Sequence, residues 1–238
     1  MSISFSTIIP ARNEEKYLPG CLEALRASAE VADCDLEVIV VVNRSTDKTE
    51  QIARDAGCIV VHAEEKNLSI IRNAGVSKAS NQYVITIDAD SKVYPGMFTD
   101  LLRELSDEGV VGGGVMMYPD RYSAGIVLTG IMLLPIVFWH GISGGLFFFR
   151  KEDFEAISGF DESLVSVEDI DFAKRLRDHG KLSGRKFKTL WHSYIITSTR
   201  KFDRFGDWYF LLRPWLLWRL FGGKDKKAAN LVWYDFER

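Results

Sequence analysis

Thiols are scarce in this chain. Its three cysteines, Cys21, Cys34 and Cys58, form no CxxC pair and leave one sulfur over. That excludes a disulfide-built miniprotein and points to a reducing compartment. A surplus of positive charge is also missing. Lys and Arg number 30 against 33 Asp and Glu, for a net charge of -3, which argues against a dedicated nucleic-acid binder. No basic, apolar leader opens the sequence, which begins Met1-Ser2-Ile3-Ser4-Phe5, so a cytoplasmic protein is expected. There is no internal repeat and no linker rich in Pro, Gly or Ser. Gly112-Gly113-Gly114 is no G-x-G-x-x-G, which removes the dinucleotide oxidoreductases.

One further absence is local. From Tyr122 to Phe149 there is no Asp, Glu, Lys or Arg, a length that could span a bilayer. The stretch also holds Pro135, five glycines and His140. A packed helix, a glycine turn and a buried strand at Leu146–Phe149 account for it better.

What remains is ample material for a core: 238 residues, 47% hydrophobic and 26% charged, enough for one domain with an appendage. Strand and helix signals alternate. The runs Phe5–Ile9, Glu37–Val42, Ile59–His62 and Tyr83–Ile87 read as strands, and the β-branched ones as strands buried on both faces. Glu14–Glu30, Thr49–Ala56 and Asn67–Ala79 carry helical spacing. This rhythm predicts an α/β fold with a Rossmann-like, mostly parallel sheet and helices on both faces. Farther on, Pro95–Leu105 and Ile170–His179 read as helices, and Val110–Met116 and Phe187–Trp191 as strands. Between 199 and 227, eight Lys and Arg face three Asp, a basic tail on an otherwise acidic chain.

In such sheets ligands bind past the carboxyl ends of the strands. There the chain carries Pro10-Ala11-Arg12-Asn13-Glu14, Asn43-Arg44-Ser45-Thr46-Asp47 and Asp88-Ala89-Asp90. Singly, Asn13, Ser45 and Asp47 are good helix caps; all three strand ends together suit a nucleotide. Asp88 and Asp90 concentrate charge where a buried strand enters a loop, a costly arrangement. A hard ion, Mn²⁺ or Mg²⁺, relieves it by sharing the carboxylates with diphosphate oxygens. An exposed turn is the plainer alternative. Thr197-Ser198-Thr199-Arg200-Lys201 adds hydroxyls and two cations suited to a leaving diphosphate, or to a solvated turn.

With these motifs in order along residues 5 to about 180, the chain resembles family 2 glycosyltransferases of the GT-A fold. Arg72-Asn73-Ala74-Gly75, Gly159-Phe160-Asp161-Glu162 and Glu168-Asp169-Ile170-Asp171 complete the set. The resemblance implies inverting transfer from a nucleotide-diphospho-sugar, UDP being the default, to an acceptor hydroxyl. It implies that Pro10, Ala11 and Glu14 hold base and ribose, and that Arg72 lies beside the nucleotide. Asn43 stands where the family usually has Asp. Asp88 should meet the ribose or a metal-bound water, and Asp90 the metal itself. Asp169 is the expected base, with Glu168 as its orienting neighbour; charges favouring a helix start are the alternative. His192 should complete the metal shell, unless it is simply a surface histidine. No Gln-x-x-Arg-Trp is present, so transfer of single sugars is expected.

Rival readings fit less well. A sugar-phosphate nucleotidyltransferase has a glycine-rich phosphate loop where this chain has residues 10–13. A degenerate sugar-binding or membrane-docking module would have lost its acids. Asp90 and Asp169 must reach one substrate, so the uncharged stretch between them does not span a membrane. It should shape the acceptor pocket, where its apolarity suits a hydrophobic or lipid-linked acceptor, or merely a buried helix. The expected division is a catalytic domain at 1–198, with a nucleotide-sugar half at 1–117 and an acceptor half at 118–198. The tail, 199–238, is basic and aromatic. Its segment 206–227 suits an interfacial helix at the inner face of a membrane, or packing on the catalytic domain or a second subunit.

Overall fold

The computed structural model describes residues 4–140 and 145–234. Eight strands form one sheet: β1 Ser4–Ala11, β2 Asp35–Val42, β3 Ile59–His62, β4 Tyr83–Ile87, β5 Ser91–Val93, β6 Val110–Pro119, β7 Leu146–Arg150 and β8 Lys186–Thr197. Their order across the sheet is β3-β2-β1-β4-β7-β6-β8-β5. The first four are mutually parallel, in register Ile8 with Ile39 and Ile8 with Thr86. β7 then runs antiparallel to both of its neighbours, β4 and β6. The parallel pair β6–β8 and the antiparallel pair β8–β5 complete a mixed sheet.

Helices cover both faces, as the alternating pattern predicts. They are α1 Leu18–Val31, α2 Thr49–Asp55, α3 Leu68–Val76, α4 Met97–Leu105, α5 Ala124–His140, α6 Lys151–Ala156, α7 Glu168–Leu182, α8 Arg200–Phe205, α9 Pro214–Phe221 and α10 Lys226–Ala229. On one face Leu18, Leu22 and Leu25 of α1 pack with Phe98 and Leu101 of α4 over Phe5 and Ile9. On the other, Phe149, Phe154, Phe160 and Phe172 stack with centroids 4.2–6.0 Å apart. Each such fully buried side chain contributes about 1.5–3 kcal/mol. α3 lies close on β1 and β2 because Gly75 has no Cβ; one placed there would strike Ile8 and Val41.

Several elements differ from expectation. α1 begins at Leu18, with Pro19 in its first turn, while residues 14–17 form a separate turn. β8 does not stop at Trp191 but continues through a bulge, opposite Val115–Met116, to Thr197. The three-residue β5 had no sequence signal of its own. The uncharged stretch does form a helix and a buried strand, α5 and β7. The glycine turn expected between them lies at 141–144, outside the described residues. No helix among the described residues is long and apolar enough to cross a membrane.

Candidate active site

The carboxyl ends of β1, β2 and β4 open into one cavity of about 480 Å³. Pro10, Glu14, Asn43, Asp88, Ala89 and Asp90 line it from the strand ends, and Arg72 from α3. Glu168 and Asp169 enter from the start of α7, Arg200 and Lys201 from α8. Segments as distant as Glu14 and Arg200, 186 residues apart, therefore meet in one place. Ala11 is set back instead: it is buried, and its carbonyl accepts the Asn43 amide at 2.8 Å.

The loops after β1 and β2 are stitched to each other. Asn13 Oδ1 accepts the Thr46 amide at 2.8 Å, and Ser45 Oγ accepts the Asn13 amide at 3.1 Å. Asp47 takes the amides of Glu15 and Thr49. Asn13 and Arg44 both have positive φ, +52° and +49°, a conformation Asn tolerates through such local bonds. Asn13, Ser45 and Asp47 thus act as loop fasteners. Asn43 is also engaged: its amide nitrogen donates to the carbonyls of Ala63 and Glu65, at 2.6 and 2.9 Å.

Two arginines bridge the acids. Arg72, buried over the Phe160 ring, donates to Glu168 Oε1 at 2.8 Å and Asp88 Oδ1 at 3.1 Å. Arg200 donates to both oxygens of Glu14, at 2.6 and 2.7 Å, and lies 2.8 Å from Asp90 Oδ2. Its guanidinium stacks on Tyr17. Among the described residues, the buried Nε of each arginine has no acceptor. Burial pushes the Asp90, Glu168 and Asp169 carboxyls above the usual range, against the pull of Arg200 on the first and Arg72 on the other two. Burial alone would lower the Arg72 pKa, but the neighbouring Asp88 and Glu168 carboxylates outweigh it and raise it. Such displaced carboxyls in a cleft mark a candidate site for proton transfer.

Whether a metal fits depends on the donors. Asp88 and Asp90 supply hard oxygens at one cavity edge, and Mg²⁺ or Mn²⁺ binds through one or two carboxylates plus phosphate oxygens. The pair fits such a shared shell. The described residues hold no group of three acidic, histidine or cysteine ligands, so phosphate would have to supply the rest. His192 is not part of it. It is exposed, within the β8 bulge, and does not line the cavity. β8 runs five residues beyond His192 before Thr197 pairs with Ser91, next to Asp90. At about 3.3 Å per residue that is some 16 Å of strand. The expectation had placed His192 just past the end of a strand taken to stop at Trp191.

The far side of the cavity is apolar, lined by Met117, Leu133, Ile170, Phe210, Leu220 and Phe221. α5 turns Ile126 and Thr129 inward and leaves Val127, Leu128, Ile131 and Leu134 exposed. The segment 206–227 is not one helix: α8 ends at Phe205, and α9 starts afresh at Pro214. Tyr209, Leu216, Leu220, Ala228 and Val232 form a small core of their own. This core is fastened to the loop before α7, where Val165 N donates to Gly223 O at 2.9 Å and Ser166 Oγ to Leu220 O at 2.7 Å. Trp208, Trp215 and Trp218 stay outside it, 50%, 51% and 80% exposed. Phe210, Leu220 and Phe221 line the cavity, a place that no spacing in the sequence marks.

Residues 6–157 match the family described as "Glycosyl transferase family 2". Among relatives, glycosyltransferase AglE of Haloferax volcanii is 27% identical over 191 residues, covering 74% of this chain and 62% of AglE. Glycosyltransferase GlyG of Streptococcus pneumoniae is 29% identical over 128 residues, 50% of this chain and 42% of GlyG. The chain thus spans under two thirds of these relatives. Among solved structures, mannosyltransferase PcManGT from Pyrobaculum calidifontis, in complex with GDP-Man and Mn²⁺, superposes with a TM-score of 0.67 at 17% identity, covering 97% of this chain and 65% of that one. S. aureus TarS 1-349 in complex with UDP-GlcNAc gives 0.63 at 19% identity, covering 98% and 71%. At such identity the likeness is one of fold, and that fold is GT-A.

Proposed function

This chain belongs to glycosyl transferase family 2, and from that premise we propose that it moves a sugar, with inversion, from a nucleotide-diphospho-sugar to an acceptor hydroxyl. One observation carries the reading: Asp88 and Asp90 share a cavity with Glu168 and Asp169, and Arg72 bridges the two groups. A donor's diphosphate end and an acceptor's nucleophile need this closeness.

In this reading Asp169 is the catalytic base. Burial raises its pKa, which strengthens it as a proton acceptor once ionised. As the acceptor oxygen bonds to the anomeric carbon, the bond from that carbon to the diphosphate breaks and the hydroxyl proton passes to an Asp169 carboxylate oxygen. Glu168, held by Arg72, positions the start of α7. Negative charge gathers on the departing diphosphate, where Arg200 and Lys201 meet it. The unpartnered Nε of Arg200 is a donor of the kind a phosphate oxygen accepts. Glu14 acts through Arg200, since both of its oxygens are committed there. A Mn²⁺ or Mg²⁺ ion held by Asp90 with Asp88 would add Lewis-acid charge at the diphosphate; PcManGT, one of its fold neighbours, is a structure with Mn²⁺. Pro10 and Asn43 border the base and ribose, with UDP the first nucleotide to try.

The half at 1–117 serves the donor and the half at 118–198 the acceptor, while Phe210, Leu220 and Phe221 of the tail line the cavity. The apolar wall accepts a hydrophobic or lipid-linked acceptor. Segment 206–227 supplies a peripheral contact with the inner face of a membrane. The test is hydrolysis and transfer with a panel of UDP- and GDP-sugars, with and without Mn²⁺. At least one donor should turn over, and Asp90→Asn should abolish its metal-stimulated part. No turnover, and no thermal shift with any donor, would refute the proposal.

A further inference from the structure

α5 is apolar on every side. It runs from Ala124 to His140 without a charge, and such a helix belongs in a core or in lipid. Among its described side chains only a few lie in a core. Ile126 and Thr129 are buried against the catalytic domain, while Val127, Leu128, Ile131 and Leu134 form an exposed stripe at helical spacing. α9 repeats the arrangement. Leu216 and Leu220 are buried, whereas Trp215, Trp218 and Phe221 fall three residues apart on its exposed side, with Leu212 just before them.

Both helices border the same cavity. Thr129 and Leu133 of α5 line the cavity together with Phe210, Leu220 and Phe221 of the tail. The tail is held against α5 near its start, where a Cβ at Gly125 would strike the Asp207 carbonyl and Arg121 binds Asp203 and Asp207.

We propose that the outward faces of α5 and α9 together are a membrane-embedding surface, so that the cavity opens directly onto the bilayer and draws its acceptor from it. Two observations favour lipid over a second copy of the chain. Lys224, Lys226, Lys227, Arg204 and Arg213 are exposed around the tail, matching anionic headgroups rather than another basic tail. Trp208, Trp215 and Trp218 offer indoles of the kind enriched where headgroup meets hydrocarbon. Pairing two copies through this face would also shut both cavity mouths against each other. The acceptor is then an amphiphile: its chain lies between Leu133 and Phe221, and its hydroxyl reaches Asp169. This inference rests on the glycosyl-transfer reading only for the acceptor's place, not for the membrane contact.

Flotation of the full chain tests it, with vesicles of phosphatidylcholine containing about a quarter phosphatidylglycerol. The protein should float, less so at about 0.5 M salt. Ile131→Asp on α5 and Trp218→Asp on α9 should each cut partitioning at least about tenfold. Both should keep the thermal shift produced by UDP, which separates loss of docking from loss of the donor site. Ile131→Ser serves as a milder variant if the aspartate unfolds α5. Wild-type protein left in the soluble fraction overturns the proposal. So does flotation that neither α5 variant weakens. A dimer in solution that Ile131→Asp dissociates, with no flotation, assigns the face to a second copy and overturns it as well.

Discussion

Replacing Arg200 by Ala strands Glu14, whose side chain is 2% exposed, without its bidentate partner. Removing one member of a buried pair costs about 3–5 kcal/mol, because the other charge stays out of water unpaired. Asp90, also facing Arg200 at 2.8 Å, loses the same cation. Domains of this size hold about 5–15 kcal/mol in all, so the variant should be severely destabilised. At about 2–4 °C per kcal/mol, its Tm should fall by roughly 6–20 °C. Adding Glu14→Gln removes the stranded charge and should return part of the loss, a coupling of about 0.5–3 kcal/mol. The exposed pair Arg54–Glu50 is the control, 58% and 39% exposed, and Arg54→Ala should cost no more than about 0.5 kcal/mol. Urea unfolding followed by circular dichroism measures these variants, Glu14→Gln alone and the unsubstituted protein. If Arg200→Ala costs under about 1 kcal/mol, or the double variant shows simple additivity, the pair is not the clamp described.

Asp169→Asn should lower kcat at least about 10²-fold while UDP-sugar affinity, read by calorimetry, holds; a loss of affinity with turnover retained would place the base elsewhere. The acid limb of the kcat profile should lie above the ordinary Asp value of about 4, because burial raises Asp169. Arg72→Gln removes a charge that favours the carboxylate form, so the limb should move to still higher pH; a downward move contradicts the assignment. In stability, Asp90, Glu168 and Asp169 hold their protons more tightly folded than unfolded, so each contributes stability below its unfolded pKa that is lost as pH rises through its raised native value. Gly75→Ala should cost about 1–3 kcal/mol by overpacking against Ile8 and Val41, and a neutral result in urea melts would contradict the close approach of α3.

Much of this architecture was legible because its signals are local. Val38 to Val42 are buried to the last residue, and a β-branched run of that kind has few other uses. Asp88-Ala89-Asp90 could be placed because β4 before it is equally unambiguous. The bulge in β8 could not, since Trp191-His192-Ser193 interrupts the alternation that would have carried the strand on to Thr197. The partners of the two arginines were equally hidden. Arg72 finds Glu168 across 96 residues, and Arg200 finds Glu14 across 186; no spacing or periodicity encodes a contact at that range. The tail's aromatic run gave burial away only in part. Trp218 and Leu220 look alike in composition, and only the break at Pro214 decides which of them faces the small core.

The 186-residue separation of Glu14 and Arg200 also orders events in time. Chains are made at about 5–20 residues per second, so roughly 10–40 s pass between the two. During that interval β1, β2 and β4 can assemble, leaving Glu14 and Asp90 side by side with no guanidinium between them. Only the arrival of α8 brings the guanidinium that pairs both acids, so this side of the pocket is completed after the sheet that carries it.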